Sequence, residues 1–195
     1  DMSTDAASVE LVGEETVGNV ARAALLAALT GAFAYVSFPY PLSPAPVSLQ
    51  VLGVFLAGIL LGPLWGGFSM ALYLLAGAVG APVFAGGSAG LGAVWIQPTS
   101  GYLWSYPVAA ALVGALVHGG LTLRDPAERS AVRLVAAMAA GTVVIYAVGV
   151  PVMSVVLGLT WTEAFVTGAL AFVPAEAAKI AAAVGVVRSD GIAAT

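Results

Sequence analysis

A stretch of 84 residues, from 34 to 117, contains no Lys, Arg, Asp, Glu or His and constrains the fold more than any other feature of the chain. Of all 195 residues, 61% are hydrophobic and only 8% are charged, and the mean hydropathy is +1.03. Soluble domains carry about 25% charged residues, so this composition predicts an integral membrane protein. Because the apolar runs are continuous and do not alternate with polar residues, they indicate spanning helices and not the strands of a transmembrane barrel.

Prolines and glycines divide the apolar sequence into six predicted spans. Four prolines between 39 and 46 end the first span, and Gly62-Pro63 splits the next apolar run into a tight helical hairpin. Pro174 opens the last span after a short interfacial helix over 161–172. The predicted fold is therefore an all-α integral membrane protein, a compact bundle of six transmembrane helices with an external glycine-rich loop. The predicted spans are 20–38, 48–62, 63–80, 102–119, 132–157 and 174–187.

Charge distribution sets the predicted domain boundaries. Residues 1–18 contain five carboxylates and little hydrophobic sequence, so they are predicted to be an acidic, disordered cytoplasmic tail. Residues 19–188 are predicted to form a single six-helix membrane domain, and 189–195 a short C-terminal tail.

Basic residues near span ends favour the cytoplasmic side and therefore predict the orientation. With six spans and both termini cytoplasmic, the arginines share one side and the links at 39–47, 81–99 and 158–161 face outward without Lys or Arg. We therefore predict a multi-pass protein of the plasma membrane, surrounded by lipid, with its glycine-rich loop outside. The arginines concerned are Arg22, Arg124, Arg129, Arg133 and Arg188.

Two charged residues, Glu176 and Lys179, lie inside the last predicted span, three residues apart and hence on one helical face. Charged side chains within spans are costly and often mark a substrate or ion path. The alternative is an internal ion pair that only stabilises the bundle. We favour a role in ligand binding because Pro174 places both residues in the first turns of the helix, toward the glycine-rich loop.

Catalysis is not predicted. The chain has no cysteine and a single histidine, His118, which excludes thiolate chemistry and leaves too few ligands for a metal cluster or a triad. Glu176 acting as a general acid or base would need a second acid, a nucleophile or a metal. We therefore expect no enzymatic activity, no catalytic residue, no metal and no cofactor, and no nucleic acid among the partners of this acidic chain.

The glycine-rich run 82–92 is polar and flexible, and two interpretations of it stay open. It lacks the Gly-Lys-Ser/Thr ending of a phosphate-binding loop, so it is either a re-entrant connector or a lid over a ligand. Gln97 and Tyr102 follow the run and offer polar and aromatic contacts, although aromatic residues also collect at membrane interfaces. Gln50 begins the second span and either caps the helix or contacts a ligand.

Alanines at 24, 28 and 32 recur every fourth residue on one face of the first span. Small residues at this spacing let another helix approach closely. The face formed by Ala24, Ala28 and Ala32 is therefore either a partner interface or an internal packing surface.

Five segments, taken in order and at their spacing, resemble the BioY family over nearly the whole chain from about residue 21 to 187. They are Ser43-Pro-Ala-Pro-Val-Ser-Leu-Gln50, Leu56-Ala-Gly-Ile-Leu-Leu-Gly-Pro63, Gly80-Ala-Pro-Val-Phe-Ala-Gly-Gly87, Pro98-Thr-Ser-Gly-Tyr-Leu103 and Phe172-Val-Pro-Ala-Glu-Ala-Ala-Lys179.

The resemblance implies a biotin-capture protein, the membrane-embedded S component of an energy-coupling factor (ECF) transporter. Such a protein works with a membrane coupling subunit and two cytoplasmic ATPases, and the alanine face would dock on the coupling subunit. Biotin is then the transported ligand, and thiamine or riboflavin is the alternative on the same fold. The family commonly has Pro-Gly-Asp where this chain has Pro174-Ala-Glu176, which keeps the carboxylate but lengthens its reach by one methylene. The predicted substrate-binding residues are Glu176, Lys179, Phe84, Gly86, Gly87, Ser88, Gln50, Gln97 and Tyr102.

Overall fold

The computed structural model describes residues 13–189, which form seven α-helices and one two-stranded hairpin. Strands β1 and β2 pair antiparallel, with Ser37 opposite Ser48. Single 3₁₀ turns cover Ala85–Gly87, Pro126–Glu128 and Leu170–Phe172. The elements in chain order are α1 (Glu14–Tyr35), β1 (Ser37–Phe38), β2 (Val47–Ser48), α2 (Gln50–Ala78), α3 (Gly90–Trp95), α4 (Ser100–His118), α5 (Ala131–Leu157), α6 (Trp161–Gly168) and α7 (Val173–Arg188).

Five helical segments within residues 13–189 are long and apolar enough to cross a membrane. The last of them joins α6 to α7 through a 3₁₀ turn. This confirms the predicted all-α membrane architecture. The segments are Glu14–Tyr35, Gln50–Ala78, Ser100–His118, Ala131–Leu157 and Trp161–Arg188.

Helix α2 is folded back on itself at Gly62, which has φ 74° and ψ −174° and therefore leaves the helical region. A straight helix would separate Gln50 from Tyr73 by about 35 Å, yet the Gln50 amide donates to the Tyr73 hydroxyl at 2.6 Å. The two halves touch closely, because a Cβ added to Gly66 would lie 2.8 Å from the Ala57 carbonyl oxygen. The Gly62-Pro63 pair thus makes the predicted helical hairpin.

His118 lies fully buried at the end of α4 and pairs with a backbone carbonyl that the turn at Gly62-Pro63 leaves without its helical donor. In a helix the carbonyl of Ile59 would accept from the N–H of residue 63, but Pro63 has none. The Nε2 atom of His118 lies 2.9 Å from that carbonyl oxygen, and Nδ1 accepts from the Arg124 N–H at 3.0 Å. The histidine is therefore neutral, with its proton on Nε2.

Helix α1 differs from its predicted limits of 20–38 at both ends. It begins at Glu14, where Glu14 and Glu15 occupy the first turn and interact favourably with the helix dipole. Residues 14–18, predicted to be part of a disordered tail, are thus helical, whereas 1–12 and 190–195 of the predicted tails lie outside the described residues. The helix ends early, at Tyr35, because residues 37–38 pair with 47–48.

Helix α2 is central to the packing: it lies against α1 and α4, and α4 lies against α5. Helix α4 crosses the turn of α2 so closely that a Cβ on Gly114 would lie 2.5 Å from the Gly62 carbonyl carbon. Helix α7 contacts α2 and α5. The first turns of α2, α4 and α7 meet at one end of the bundle, and the segments 44–48 and 84–88 cover this end.

Candidate functional site

The first turns of these three helices enclose a cavity of about 240 Å³. Its wall is mostly apolar and aromatic, and its polar groups come from separate elements. The volume is below the range of about 300–1,000 Å³ that is typical of small-molecule sites, but the combination of an apolar wall with a few convergent polar groups is the same. Of the nine predicted substrate-binding residues, seven line this cavity: Gln50, Phe84, Ser88, Gln97, Tyr102, Glu176 and Lys179.

An ion pair between Glu176 and Lys179 lies at the α7 side of the cavity. The Lys179 Nζ atom is 2.8 Å from Glu176 Oε1, and the two residues are only 5% and 6% exposed. Pro174, in the first turn of α7, needs no N–H there and fixes where the helix begins. Within the described residues, Glu176 Oε2 has no hydrogen-bond partner although it is buried. One carboxylate oxygen thus remains available to a ligand.

Tyr146 on α5 was not predicted as a site residue, yet it lines the same cavity. Its buried hydroxyl lies beside the Glu176 carboxylate and makes no well-aligned hydrogen bond within the described part of the chain. Two neighbouring polar groups with unfilled hydrogen-bonding capacity therefore lie on one side of the cavity, whereas buried polar groups are nearly always fully paired. One feature of the sequence could have indicated this residue. Tyr146 lies in the middle of a long apolar span, far from the span ends where interfacial tyrosines collect.

Gln50 is held in the cavity wall by a chain of hydrogen bonds. Its Oε1 accepts from the Ser48 hydroxyl at 2.7 Å, and its amide donates to Tyr73, whose hydroxyl donates to the Val83 carbonyl at 2.7 Å. The side chain makes no cap for α2. The chain of bonds ties the start of α2 to Val83 in the glycine-rich run.

The glycine-rich run is anchored by Phe84, which is 1% exposed. Its ring occupies the space where a side chain at Gly77 would be and meets Tyr73 edge-on, with centroids 5.5 Å apart. The Phe84 N–H donates to the Ser88 carbonyl at 3.1 Å, which closes a small loop over the cavity.

The two glycines predicted in the site, Gly86 and Gly87, shape the loop through their backbone conformation. Gly86 and Gly87 have φ of 67° and 78°, a left-handed conformation that favours glycine. Neither lines the main cavity. Gly86 instead lines a second, more exposed cavity of about 500 Å³ at the hairpin 37–46, which we call the outer cavity. The two cavities share Pro44, Ala45, Pro46 and Ala85.

The ring of Tyr102 lines the cavity, whereas its hydroxyl holds two helices together. The hydroxyl donates to the Gly168 carbonyl at 2.7 Å and so joins α4 to α6. Gly149 and Gly168 make room for this ring, since a Cβ on either would collide with Tyr102.

The alanine face of α1 is exposed in the structure. Ala24, Ala28 and Ala32 all point away from the bundle, whereas Ala23 and Ala34 on the opposite face are fully buried. The alanine repeat is therefore a surface feature and not an internal packing surface.

Among the described residues, no group of three or more His, Asp or Glu side chains is placed to hold a metal ion. The site resembles a binding pocket for a small polar-ended molecule, with one ion pair, one free carboxylate oxygen and one free hydroxyl.

Comparison with known proteins identifies the family. The model of the BioY family matches residues 4–192. The chain belongs to the BioY family, and the resemblance seen in the sequence is confirmed. It is 39% identical over 142 residues to the biotin transporter BioY of Rhizobium etli, covering 70% of this chain and 72% of that protein. It is 35% identical over 165 residues to a probable biotin transporter BioY of Pyrococcus horikoshii, covering 85% of this chain and 91% of that protein.

A solved structure has the same fold as this BioY chain. The S-component for biotin from an ECF-type ABC transporter matches with a TM-score of 0.79 and 24% sequence identity, over 91% of this chain and 92% of that one. The bundle of membrane helices is thus the arrangement already seen in an S component.

Proposed function

We propose that this BioY chain captures biotin from outside the cell as the substrate-binding subunit of an ECF transporter. The observation that carries the proposal is the cavity between the Glu176–Lys179 pair and the Phe84–Ser88 loop in a chain whose relatives are named biotin transporters. The chain binds and carries its ligand without catalysing a reaction.

The chemistry of the cavity suits biotin. Biotin has a ureido ring with two N–H donors and a carbonyl acceptor, an apolar bicycle and chain, and a terminal carboxylate. A pocket for it needs an acceptor, a donor and a long apolar wall. Glu176 Oε2 and the Tyr146 hydroxyl supply the acceptor and the donor, and Leu103, Ile145 and Phe172 contribute to the wall. Gln97 and Ser88 line the cavity beside the covering loop.

In the proposed assembly the chain crosses the membrane six times, with both termini cytoplasmic and the glycine-rich loop outside. The fold-back of α2 at Gly62 adds a sixth span to the five long segments and supports this count. The exposed face of Ala24, Ala28 and Ala32 contacts the membrane coupling subunit, and two cytoplasmic ATPase subunits supply the energy. The remaining apolar surface contacts lipid.

Binding of labelled biotin to the purified chain in detergent tests the proposal. We expect half-saturation below micromolar biotin, and no competition by excess thiamine or riboflavin. If one of those vitamins binds tightly while biotin does not bind below micromolar concentration, the substrate assignment is wrong. Mass spectrometry of the purified chain provides an independent check for co-purified biotin.

Variants of the ion pair test the position of the ligand. Glu176→Ala and Lys179→Ala should each weaken biotin binding at least tenfold, because each leaves a buried charge unpaired and removes a neighbour of the ligand. Leu64→Ala, at a position 67% exposed on α2 and outside the cavity, is the control and should bind like the parent chain. Unchanged affinity in both charge variants would remove the pair from the site.

A further inference from the structure

Four arginines meet where α4 ends, at the end of the bundle opposite the cavity. The Arg133 Nε atom donates to the Leu116 carbonyl at 2.7 Å, and the Arg188 guanidinium donates to the Arg129 carbonyl at 3.2 Å. The Arg124 N–H donates to His118, and Arg129 lies within electrostatic range of the same histidine. We call the four the arginine cluster: Arg124, Arg129, Arg133 and Arg188.

The positive charge of this cluster is not neutralised by the described residues, 13–189. No member forms a salt bridge there. Asp125 and Glu128 lie in the same link, but Asp125 accepts from the Ala127 N–H and neither carboxylate pairs with an arginine. The Arg129 Nε atom is buried and has no acceptor within this part of the chain. The cluster therefore offers charge and N–H donors that the described chain leaves largely unused.

Apolar side chains are exposed beside the arginine cluster. Leu121 and Leu123 in the link are 70% and 40% exposed, and Val132 in the first turn of α5 is 79% exposed. Arginines mixed with exposed apolar residues suit the level of a membrane where headgroups meet acyl chains. A free anion would contact only the arginines and leave these apolar side chains uncovered.

We propose that the arginine cluster binds the phosphate headgroup of an anionic phospholipid, with the acyl chains beside the exposed leucines and valine. Phosphate oxygens accept strong, often bidentate hydrogen bonds from guanidinium groups. Helix α5 begins at Ala131, between two members of the cluster, so the positive end of its dipole adds to the attraction. The bound lipid links the ends of α4 and α7 to the start of α5. This site is independent of the ligand in the cavity.

Native mass spectrometry of the purified full chain, titrated with phosphatidylglycerol or phosphatidylcholine, tests the lipid site. A basic residue near an anionic lipid surface contributes about fivefold in affinity. We therefore expect the first phosphatidylglycerol to bind at least tenfold more tightly than phosphatidylcholine. Equal affinity for the two lipids would overturn the proposal.

Single charge removals test which arginines form the site. Arg124→Gln and Arg188→Gln change exposed side chains, so the fold should persist. Each should weaken phosphatidylglycerol about fivefold and leave phosphatidylcholine within twofold. Arg22→Gln removes the same charge from α1, which carries no member of the cluster, and should leave both lipids within twofold. An equal loss in all three variants would reduce the effect to general surface charge and overturn the site.

Two further measurements separate the lipid from other occupants. Inorganic phosphate at the lipid concentration should not displace phosphatidylglycerol; displacement would assign the cluster to a free anion. Unchanged lipid binding in both cluster variants, together with lost biotin uptake by cells, would assign it to an acidic protein surface instead. Both results would overturn the lipid site. Biotin binding should stay within twofold in every variant, so the proposed function is tested separately.

Discussion

At the scale of residues, each polar side chain within the bundle either completes the fold or faces the cavity. His118 completes the fold, because it serves a carbonyl that Pro63 leaves without its helical donor. Gln50 and Tyr102 do both, since each lines the cavity while its polar atoms bind other parts of the chain. Glu176 and Tyr146 face the cavity side by side, and each has a buried oxygen without a well-aligned hydrogen bond.

Replacing His118 with Phe should destabilise the bundle by about 2–6 kcal/mol, since it leaves the Ile59 carbonyl and the Arg124 N–H unpaired at about 1–3 kcal/mol each. The free energy of unfolding, measured by denaturant titration in detergent, checks this. Ser189→Ala removes an exposed hydroxyl bond to the Val186 carbonyl and should cost less than about 0.5 kcal/mol. A stable His118→Phe variant would show that the histidine does not support the α2 turn.

Sequence alone placed Glu176 and Lys179 on one helical face and named the seven cavity residues as site candidates, because charge, glycine content and spacing are visible locally. It left open whether the alanine face is exposed, since exposure depends on how α1 packs. Tyr146 escaped prediction for a physical reason. Its hydroxyl becomes unusual only when α5 places it beside Glu176 without a partner, and this depends on tertiary packing. Gly86 and Gly87 were predicted in the site, but they shape the loop through their backbone and lie outside the main cavity.

At the scale of elements, close helix contacts depend on glycines of α2 and α4. A Cβ on Gly58 would collide with the Ala110 carbonyl, and one on Gly114 would lie 2.6 Å from the Pro63 nitrogen. These contacts involve backbone atoms, which cannot rotate away. The helical hairpin of α2 was predictable from Gly62-Pro63. Its contact with α4 was not, because no local sequence pattern indicates which helix packs across the turn of the hairpin.

Gly114→Ala should therefore lower the free energy of unfolding by about 1–3 kcal/mol, the usual cost of overpacking. The matched control is Gly185→Ala on α7, where no atom lies within 4 Å of the added Cβ. This control should be neutral or gain up to about 1 kcal/mol from helix propensity. Thermal denaturation of both variants decides the comparison. Equal stability of the two would mean that α4 and α2 can separate without cost.

At the scale of the whole molecule, the two ends of the bundle differ in chemistry. The cavity and its covering segments lie at the end where α2, α4 and α7 begin. Arg124, Arg129 and Arg188 lie at the other end, where the Arg188 guanidinium donates to the Arg129 carbonyl at 3.2 Å. Because basic residues favour the cytoplasmic side, we expect this end to face the cytoplasm.

Single cysteines can test this orientation because the chain has none of its own. Leu42→Cys, at a position 63% exposed near the cavity, should react with a membrane-impermeant thiol reagent in intact cells. Ala127→Cys, exposed in the link between α4 and α5, should react only after the membrane is opened. The reverse pattern of labelling would invert the orientation.

The alanine face predicts a separation between binding and transport. Ala28→Trp adds a large side chain to an exposed position, so purified protein should bind biotin within twofold of the parent chain while uptake by cells falls at least tenfold. Val143→Trp, at a 67% exposed position on α5, is the control and should leave uptake within twofold. Normal uptake with Ala28→Trp would show that α1 does not contact the coupling subunit there.

The Glu176–Lys179 pair has a further consequence, because both charges belong to one turn of one helix. Their separation of 2.8 Å is set by local helix geometry and not by how α7 packs on its neighbours. The pair is carried by a single helix, so its two charges keep their mutual spacing and their position on α7 in any rearrangement that leaves this helix intact.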